Sequence, residues 1–273
     1  MVSKAFHLAR SLARMFLKAY GIDFKQCLRG LRNTPRYVRD YRSYRRRLAE
    51  SPEARKHFPL QRRRVYPALS DFEDAAGALG VYFHQDLWAA RNVFAQQPDS
   101  HVDIGSRIDG FVGHLLVFMD VSIVDVRAMP SSVDGLSFVQ ADATRMEQFE
   151  TDSIDSLSSL HAAEHFGLGR YGDPVDPDAC FVYMRALQRV LAVGGRLLFS
   201  VPIGPEGVHF NAHRVFAPQT VIDTFDRLSL VSFSAVQDRD RLIEGADPER
   251  YLAERYKVGL FEFTKVLPIG AAT

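Results

Sequence analysis

His101-Val102-Asp103-Ile104-Gly105-Ser106-Arg107-Ile108-Asp109-Gly110-Phe111 is the stretch on which the fold turns. Four residues of strand character end in Gly105, and Gly110 and Gly113 open a helical pattern over Gly110–Phe118. A glycine at that turn lets backbone approach a ligand closely. Downstream, Ile123-Val124-Asp125-Val126 and Phe138-Val139-Gln140-Ala141-Asp142 repeat the theme of an apolar strand closing on an acid. Any one such acid is equally well a turn or helix cap. Three at consecutive strand ends point to a ligand crevice, because doubly wound sheets bind at the carboxyl ends of their strands.

Around this centre, strands are predicted at His101–Gly105, Ser122–Val126, Leu136–Ala141, Ile154–Leu160, Arg196–Pro202, Leu228–Val236 and Val258–Val266, with helices at Gly110–Phe118, Pro177–Leu191 and Pro218–Phe225. Strand–helix alternation predicts an α/β, doubly wound, mostly parallel seven-stranded sheet. Between the last two strands lies only a loop rich in Asp and Arg, which fits an antiparallel final strand.

Upstream the chemistry changes. Residues 1–70 hold 18 Lys/Arg and four Asp/Glu, whereas the whole chain nets only +1. This predicts a basic helical N-terminal extension, 1–70, on an acidic α/β domain, 71–273. Val2, Phe6, Ala9, Ala13, Phe16, Leu17 and Tyr20 recur at helical spacing with Lys4, Arg10, Arg14 and Lys18 off the stripe. That is a basic amphipathic helix, packed on its own domain or docked on an anionic membrane surface. Residues 36–47 interleave Arg and Tyr, a pattern that can bind nucleic acid but is expected here as a polar helix face or a surface that attracts phosphorylated sugars or lipid headgroups, and Pro52, Pro59 and Pro67 mark a linker. Two cysteines, Cys27 and Cys180, argue against a disulfide framework and for a reducing, cytoplasmic setting, peripheral to the membrane's inner face if the helix docks there. No run approaches the ~20 apolar residues of a bilayer span.

Two segments carry the chemistry. One runs from Ser158 to Pro174 through His161, Glu164, His165, Arg170 and Tyr171; the other, after Ser200-Val201-Pro202-Ile203-Gly204, holds Asn211, His213 and Arg214. Removing a hydroxyl proton during an in-line displacement suits histidine near neutral pH, with a carboxylate to orient the ring. His165 or His161 is the expected base, Glu164 the orienter or a metal ligand, and His213 a further catalytic candidate. Arg170, Tyr171, Asn211 and Arg214 are expected at the acceptor, with Arg214 as an anion clamp. Imidazoles and a carboxylate leave room for Mg²⁺ or Mn²⁺ against a sugar diol. His161-Ala162-Ala163-Glu164-His165 matches the H-x-x-E-H zinc-peptidase pattern, but Gly167, Gly169 and Gly172 deny it the helix that pattern needs. No G-x-G-x-x-G follows the first strand, which disfavours NAD.

The three acidic strand ends, with Leu191-Ala192-Val193-Gly194-Gly195-Arg196, resemble class I methyltransferases over residues 101–202. Asp103-Ile104-Gly105-Ser106-Arg107 with Gly110-Phe111, His161–Asp173, Ser200–Gly204, Phe210–Phe216 and Phe83-His84-Gln85-Asp86-Leu87-Trp88 resemble the DUF268 family, across roughly 30–240. The resemblance implies a Rossmann-like fold that binds S-adenosylmethionine through Asp103, Gly105, Ser106, Arg107, Asp125 (ribose hydroxyls), Asp142 (adenine) and Ala143. Where class I methyltransferases carry further glycines in their first motif, this chain has Arg107 and Asp109. The activity expected is O-methylation of a sugar hydroxyl on a nucleotide- or lipid-linked saccharide, a small-molecule or glycan acceptor, in polysaccharide or glycolipid biosynthesis. The alternative is a non-catalytic methyltransferase-like scaffold. Nucleic acid is disfavoured as a partner for want of a base-stacking motif.

Overall fold

The computed structural model describes residues 17–61, 66–69, 79–129, 132–238, 240–252 and 257–266. The chain divides into two compact units, Met1–Ala78 and Leu79–Thr273.

In the first unit, helix α1 spans Phe24–Glu50. Asp23 caps it by accepting from the amides of Lys25 and Gln26 at 2.9 and 3.1 Å, which satisfies donors that have no partner inside the helix. The Arg/Tyr run 36–47 lies wholly on α1. Asn33 is buried and donates its amide to the Leu69 carbonyl at 2.8 Å. The stretch read as a linker instead begins with a second helix, α2 (Pro52–His57), because Ser51 caps it and Pro52 sits in its first turn. The amphipathic pattern at 2–20 falls mostly outside the described residues.

In the second unit, α3 (Val81–Gln96) precedes β1 (His101–Ile104). Then follow α4 (Gly113–Leu115), β2 (Val121–Asp125), β3 (Leu136–Gln140), β4 (Ile154–Leu160), α5 (Ala179–Val190) and β5 (Leu191–Ile203). A small hairpin, β6 (Gly207–His209) with β7 (His213–Val215), leads to α6 (Pro218–Thr224). The chain closes with β8 (Leu228–Gln237), β9 (Arg241–Ile243) and β10 (Lys257–Lys265).

The main sheet has the order β3-β2-β1-β4-β5-β10-β8-β9. Strands β1 to β5 pair in parallel, and β10 inserts antiparallel between β5 and β8, as the helix-free loop before it suggests. The sheet therefore has eight strands rather than seven. The extra one, β9, is a three-residue edge strand within the Asp/Arg-rich loop, pairing Arg241 with Gln237 and Ile243 with Ala235. Nothing in its three residues signals a strand by periodicity; only the presence of the β8 edge recruits it. The helix expected at Gly110–Phe118 is shorter and wider: a π-helical turn, Ile108–Val112, runs into α4.

Successive side chains of the central strands face opposite ways, so the sheet has a core on each side. Phe199, Phe261 and Phe263 pack with Tyr183, Met184 and Leu187 of α5 on one face. Leu198 and Leu260 pack on the other with Trp88, Ala89 and Val93 of α3 and with Phe111 and Leu115. The chain adds strands outward from β1 through β2 to β3, then crosses back to lay β4 on the other side of β1. That reversal opens a crevice at the strand ends.

Candidate active site

A cleft of about 640 Å³ lies at this switch point. Of the residues expected at the site, it is lined by Gly105, Ser106, Arg107, Asp125, His161, His165 and Tyr171. Arg127, Tyr82 and Gln85, which sequence reasoning did not assign to the site, line it too. Gly105 turns at φ +70°, where only glycine sits without strain.

Beneath the floor, Asp103 is fully buried and does not line the cleft. Its carboxylate accepts from the Ser106 amide (3.1 Å), the Ser106 hydroxyl (2.6 Å) and the Ser158 hydroxyl (2.5 Å). Burial raises its pKa to about 6 against these three donors. Behind it His101 spans Ser156 and Ser158 at 2.7 and 2.8 Å, and burial lowers its pKa to about 3. A neutral ring with Ser158 donating to Asp103 must carry its proton on Nε2 and accept at Nδ1 from Ser156. Asp103 is thus an anchor for the loop after β1.

In the cleft, Asp125 accepts from the Arg127 amide at 2.8 Å, and from its Nε and Nη2 at 3.0 and 2.7 Å. Burial works to raise the Asp125 pKa, but the Arg127 donors outweigh it and hold the carboxyl below its usual range. A carboxylate offers about four lone-pair sites, so Asp125 keeps acceptor capacity. Ile123 and Phe138 supply apolar wall beside it. Arg127 also lies over the Tyr171 ring, 5.0 Å from its centroid, and Arg170 lies 5.2 Å from it.

The histidines follow beyond Tyr171, whose ring centroid lies 5.6 Å from that of His165. His161 ends β4 in a left-handed conformation, φ +55°, which costs a non-glycine residue of order 1–3 kcal/mol. Its amide donates to the Ser200 carbonyl at 3.0 Å. Its Nδ1 lies 2.5 Å from Gln85 Oε1, an oxygen that cannot donate, so Nδ1 carries the proton. Gln85 is fixed in turn by the Ser200 hydroxyl at 2.7 Å and by its own amide donating to Asp86 at 3.1 Å. The His161 Nε2 is left buried as an acceptor with no partner. Burial lowers the His161 pKa to about 3, helped by His165 and His213. His165 follows the same rule: its Nδ1 donates to the Ala212 carbonyl at 2.6 Å, which leaves Nε2 as the basic nitrogen. Burial lowers its pKa, and the Ala212 bond partly restores it. Both rings are therefore locked in one tautomer with Nε2 as lone-pair donor.

Glu164 lies beside His165 with Oε1 3.8 Å from its Nε2, and is buried with Oε2 unpartnered. Burial pushes its pKa up to about 8, so the carboxyl is neutral at pH 7. It does not line the cleft. His161–His165 forms no helix, only a single 3₁₀ turn at Ala163–His165, and the zinc-peptidase geometry is not built. Among the described residues no group of three or more His, Cys, Asp or Glu is arranged to hold a metal ion.

Of the remaining expected residues, Arg170, Asn211, His213 and Arg214 do not line the cleft. Arg170 donates to the Ala212 carbonyl at 3.0 Å, the acceptor that His165 uses. Asn211 reaches the Leu168 carbonyl at 3.5 Å, and His213 packs against His209 with ring centroids 4.9 Å apart. Arg214, expected as an anion clamp, donates to the Phe166 and Pro177 carbonyls at 2.5 and 3.2 Å, which makes it a brace. Asp142 is exposed and closes a turn by accepting from the Thr144 amide and hydroxyl. Neither Asp142 nor Ala143 lines the cleft. Gln85 was missed because a neutral amide carries no chemical signature, and it stands 76 positions from His161.

A parallel sheet in this order, with its cleft at the switch point, is the Rossmann-like architecture of class I S-adenosylmethionine-dependent methyltransferases. The family model described as "Caenorhabditis protein of unknown function, DUF268" matches residues 120–243. The resemblance read from the sequence is thus found from β2 to β9, while the loop after β1 lies outside the match. No curated protein matches the chain. Among solved structures, the [4+2]-cyclase SpnF is 11% identical with TM-score 0.50, over 67% of this chain and 82% of that one. The 1,6-didemethyltoxoflavin-N1-methyltransferase of Burkholderia thailandensis is 15% identical with TM-score 0.49, over 68% and 80%. The N-methyltransferase NodS of Bradyrhizobium japonicum WM9 is 15% identical with TM-score 0.48, over 67% and 86%. At such identities the likeness shows the fold alone.

Proposed function

We propose that this chain is an S-adenosylmethionine-dependent O-methyltransferase acting on a sugar hydroxyl of a nucleotide- or lipid-linked saccharide, in surface-polysaccharide or glycolipid assembly. One observation carries the reading: a single cleft is lined by an ionised carboxylate, Asp125, and by two imidazoles whose Nε2 atoms keep their lone pairs. S-adenosylmethionine, when bound, supplies an electrophilic methyl group. Asp125 would accept a ribose hydroxyl beside the Arg127 contacts, Gly105 and Ser106 would admit its backbone-close portion, and Ile123 and Phe138 would flank its base.

Of the two imidazoles, His165 suits the base. It keeps 19% of its side chain exposed and its downward shift is opposed by the Ala212 bond. His161, at about 3, takes a proton poorly and suits accepting a hydrogen bond that orients the acceptor hydroxyl. The hydroxyl proton passes to His165 Nε2, while Nδ1–H stays on the Ala212 carbonyl and fixes the ring. Glu164, neutral at pH 7, stands beside His165 without adding charge.

The second reading is a non-catalytic methyltransferase-like scaffold. It is favoured by Arg127, which already occupies Asp125, and by the paired Arg107 and Asp109 in the loop where class I methyltransferases carry glycines. A cyclase on the same fold also shows that fold does not fix the reaction.

Calorimetric titration with S-adenosylmethionine and S-adenosylhomocysteine, with and without Mg²⁺, separates them. The enzyme reading expects saturable micromolar binding that Asp125→Ala weakens by ~1.5–3 kcal/mol, the range for a hydrogen bond to a charged group. Absence of binding to the folded protein under both conditions would put the scaffold first.

A further inference from the structure

Helix α1 has two apolar faces, and one of them is exposed. Gly30, Tyr37, Tyr41 and Leu48 are half-buried or buried. On a different face Phe24, Leu28, Leu31, Pro35 and Val38 recur at helical spacing, and all are exposed. Phe24 is 56%, Leu28 51% and Leu31 71% exposed. Lys25 and Arg39 lie beside this ridge, Arg42 and Arg46 continue its line toward the helix end, and all four are exposed as well. Over its 27 residues α1 carries nine Lys/Arg against two Asp/Glu. At 1.5 Å per residue the helix is about 40 Å long.

Exposing an aliphatic ridge to water over several turns is unfavourable by roughly 25 cal/mol per Å², so the ridge calls for an apolar environment. The cations beside it call for an anionic one. A nucleic-acid surface answers only the second need, since its outward face is a line of phosphates. A helix lying in the headgroup region of an anionic bilayer answers both. Among the described residues no helix is long and apolar enough to cross a membrane.

We propose that α1 is an interfacial helix that docks the protein on an anionic lipid bilayer. Phe24, Leu28, Leu31 and Val38 enter the acyl boundary, and Lys25, Arg39, Arg42 and Arg46 meet the headgroups. The inference stands apart from the reading of the cleft, because it rests on residues of the first unit alone.

The test is flotation of the full chain with phosphatidylcholine vesicles, with and without phosphatidylglycerol. The protein is expected to float only with the anionic vesicles. Arg39→Glu with Arg42→Glu should weaken binding on the order of tenfold or more, since each cation near such a surface contributes appreciably. Leu28→Glu with Leu31→Glu should weaken it by at least about tenfold as well, through lost apolar burial, with an unchanged melting temperature. Failure to float with anionic vesicles overturns the proposal. So does wild-type flotation of the leucine variant, which would leave charge alone as the attraction. A lowered melting temperature in that variant also overturns it, because another segment of this chain would then be covering the ridge.

Discussion

His165 and His161 show how much a single hydrogen bond decides. An imidazole with Nδ1 committed to a carbonyl oxygen can act only through Nε2. In His165→Ala, turnover should vanish while cofactor affinity stays nearly unchanged, since the His165 ring bonds the Ala212 carbonyl and Asp125 is held by Arg127. Retained turnover in a methyl-transfer assay would place the base elsewhere. Glu164 sets up a pH effect on stability. Its folded pKa of about 8 exceeds the ordinary 4.5, so the folded state holds a proton that the unfolded state releases between those values. Stability from this group is therefore full below pH 4.5 and falls as pH rises toward 8. His101 and His161, depressed from 6.5 to about 3, act in the opposite sense: their contribution is full above 6.5 and is lost as pH falls. Glu164→Gln should remove the alkaline loss and leave the acid loss in place. Denaturant unfolding of both proteins from pH 5 to 9 reads this out, and parallel curves would mean that the carboxyl is ionised in the fold.

At the scale of elements, the loop between the 3₁₀ turn and α5 depends on one side chain. Asp173 accepts from the amides of Gly167 (2.7 Å), Tyr171 (3.2 Å) and Gly169 (3.4 Å). Gly167 turns at φ +75°, and a Cβ there would clash with the Asp176 carbonyl oxygen, so no other residue fits. This loop carries Tyr171 to the cleft. Asp173→Ala should free the three amides at a cost of about 1–3 kcal/mol in local stability, seen as faster hydrogen exchange at Gly167–Tyr171 with β4 and β5 unaffected. Unchanged exchange would show that Arg214 alone holds the loop. The glycines and the Asp were visible in the sequence as a polar, turn-rich run. Their mutual hydrogen bonding was not, because the same residues suit many turns. Likewise α2 was hidden behind its prolines: Pro52 reads as a breaker until Ser51 is seen to cap the helix that it opens.

For the molecule as a whole, the sequence by itself determined the alternation of strand and helix, the parallel sheet with an antiparallel strand near its end, and the band of acids and histidines at the strand ends. These are properties of local pattern: period-2 and period-3.6 hydrophobicity, and glycines where the backbone must turn. It also determined the charge split that makes α1 strongly basic. Only the tertiary structure decided which of the marked residues face the cleft. Asp103 lies opposite Ile123, two residues short of the level of Asp125, and is sealed beneath Ser106 and Ser158, while Asp125 closes its strand and opens to the pocket. Arg214 looked like an anion clamp and became a brace once the carbonyls of Phe166 and Pro177 came within its reach. Gln85, Tyr82 and Arg127 entered the site only because α3 and the turn after β2 pack against the ends of β1 and β4. The physical reason is that patterning specifies which face of an element is buried, whereas the partners a side chain meets across 40 to 115 positions of chain are set by how the elements stack.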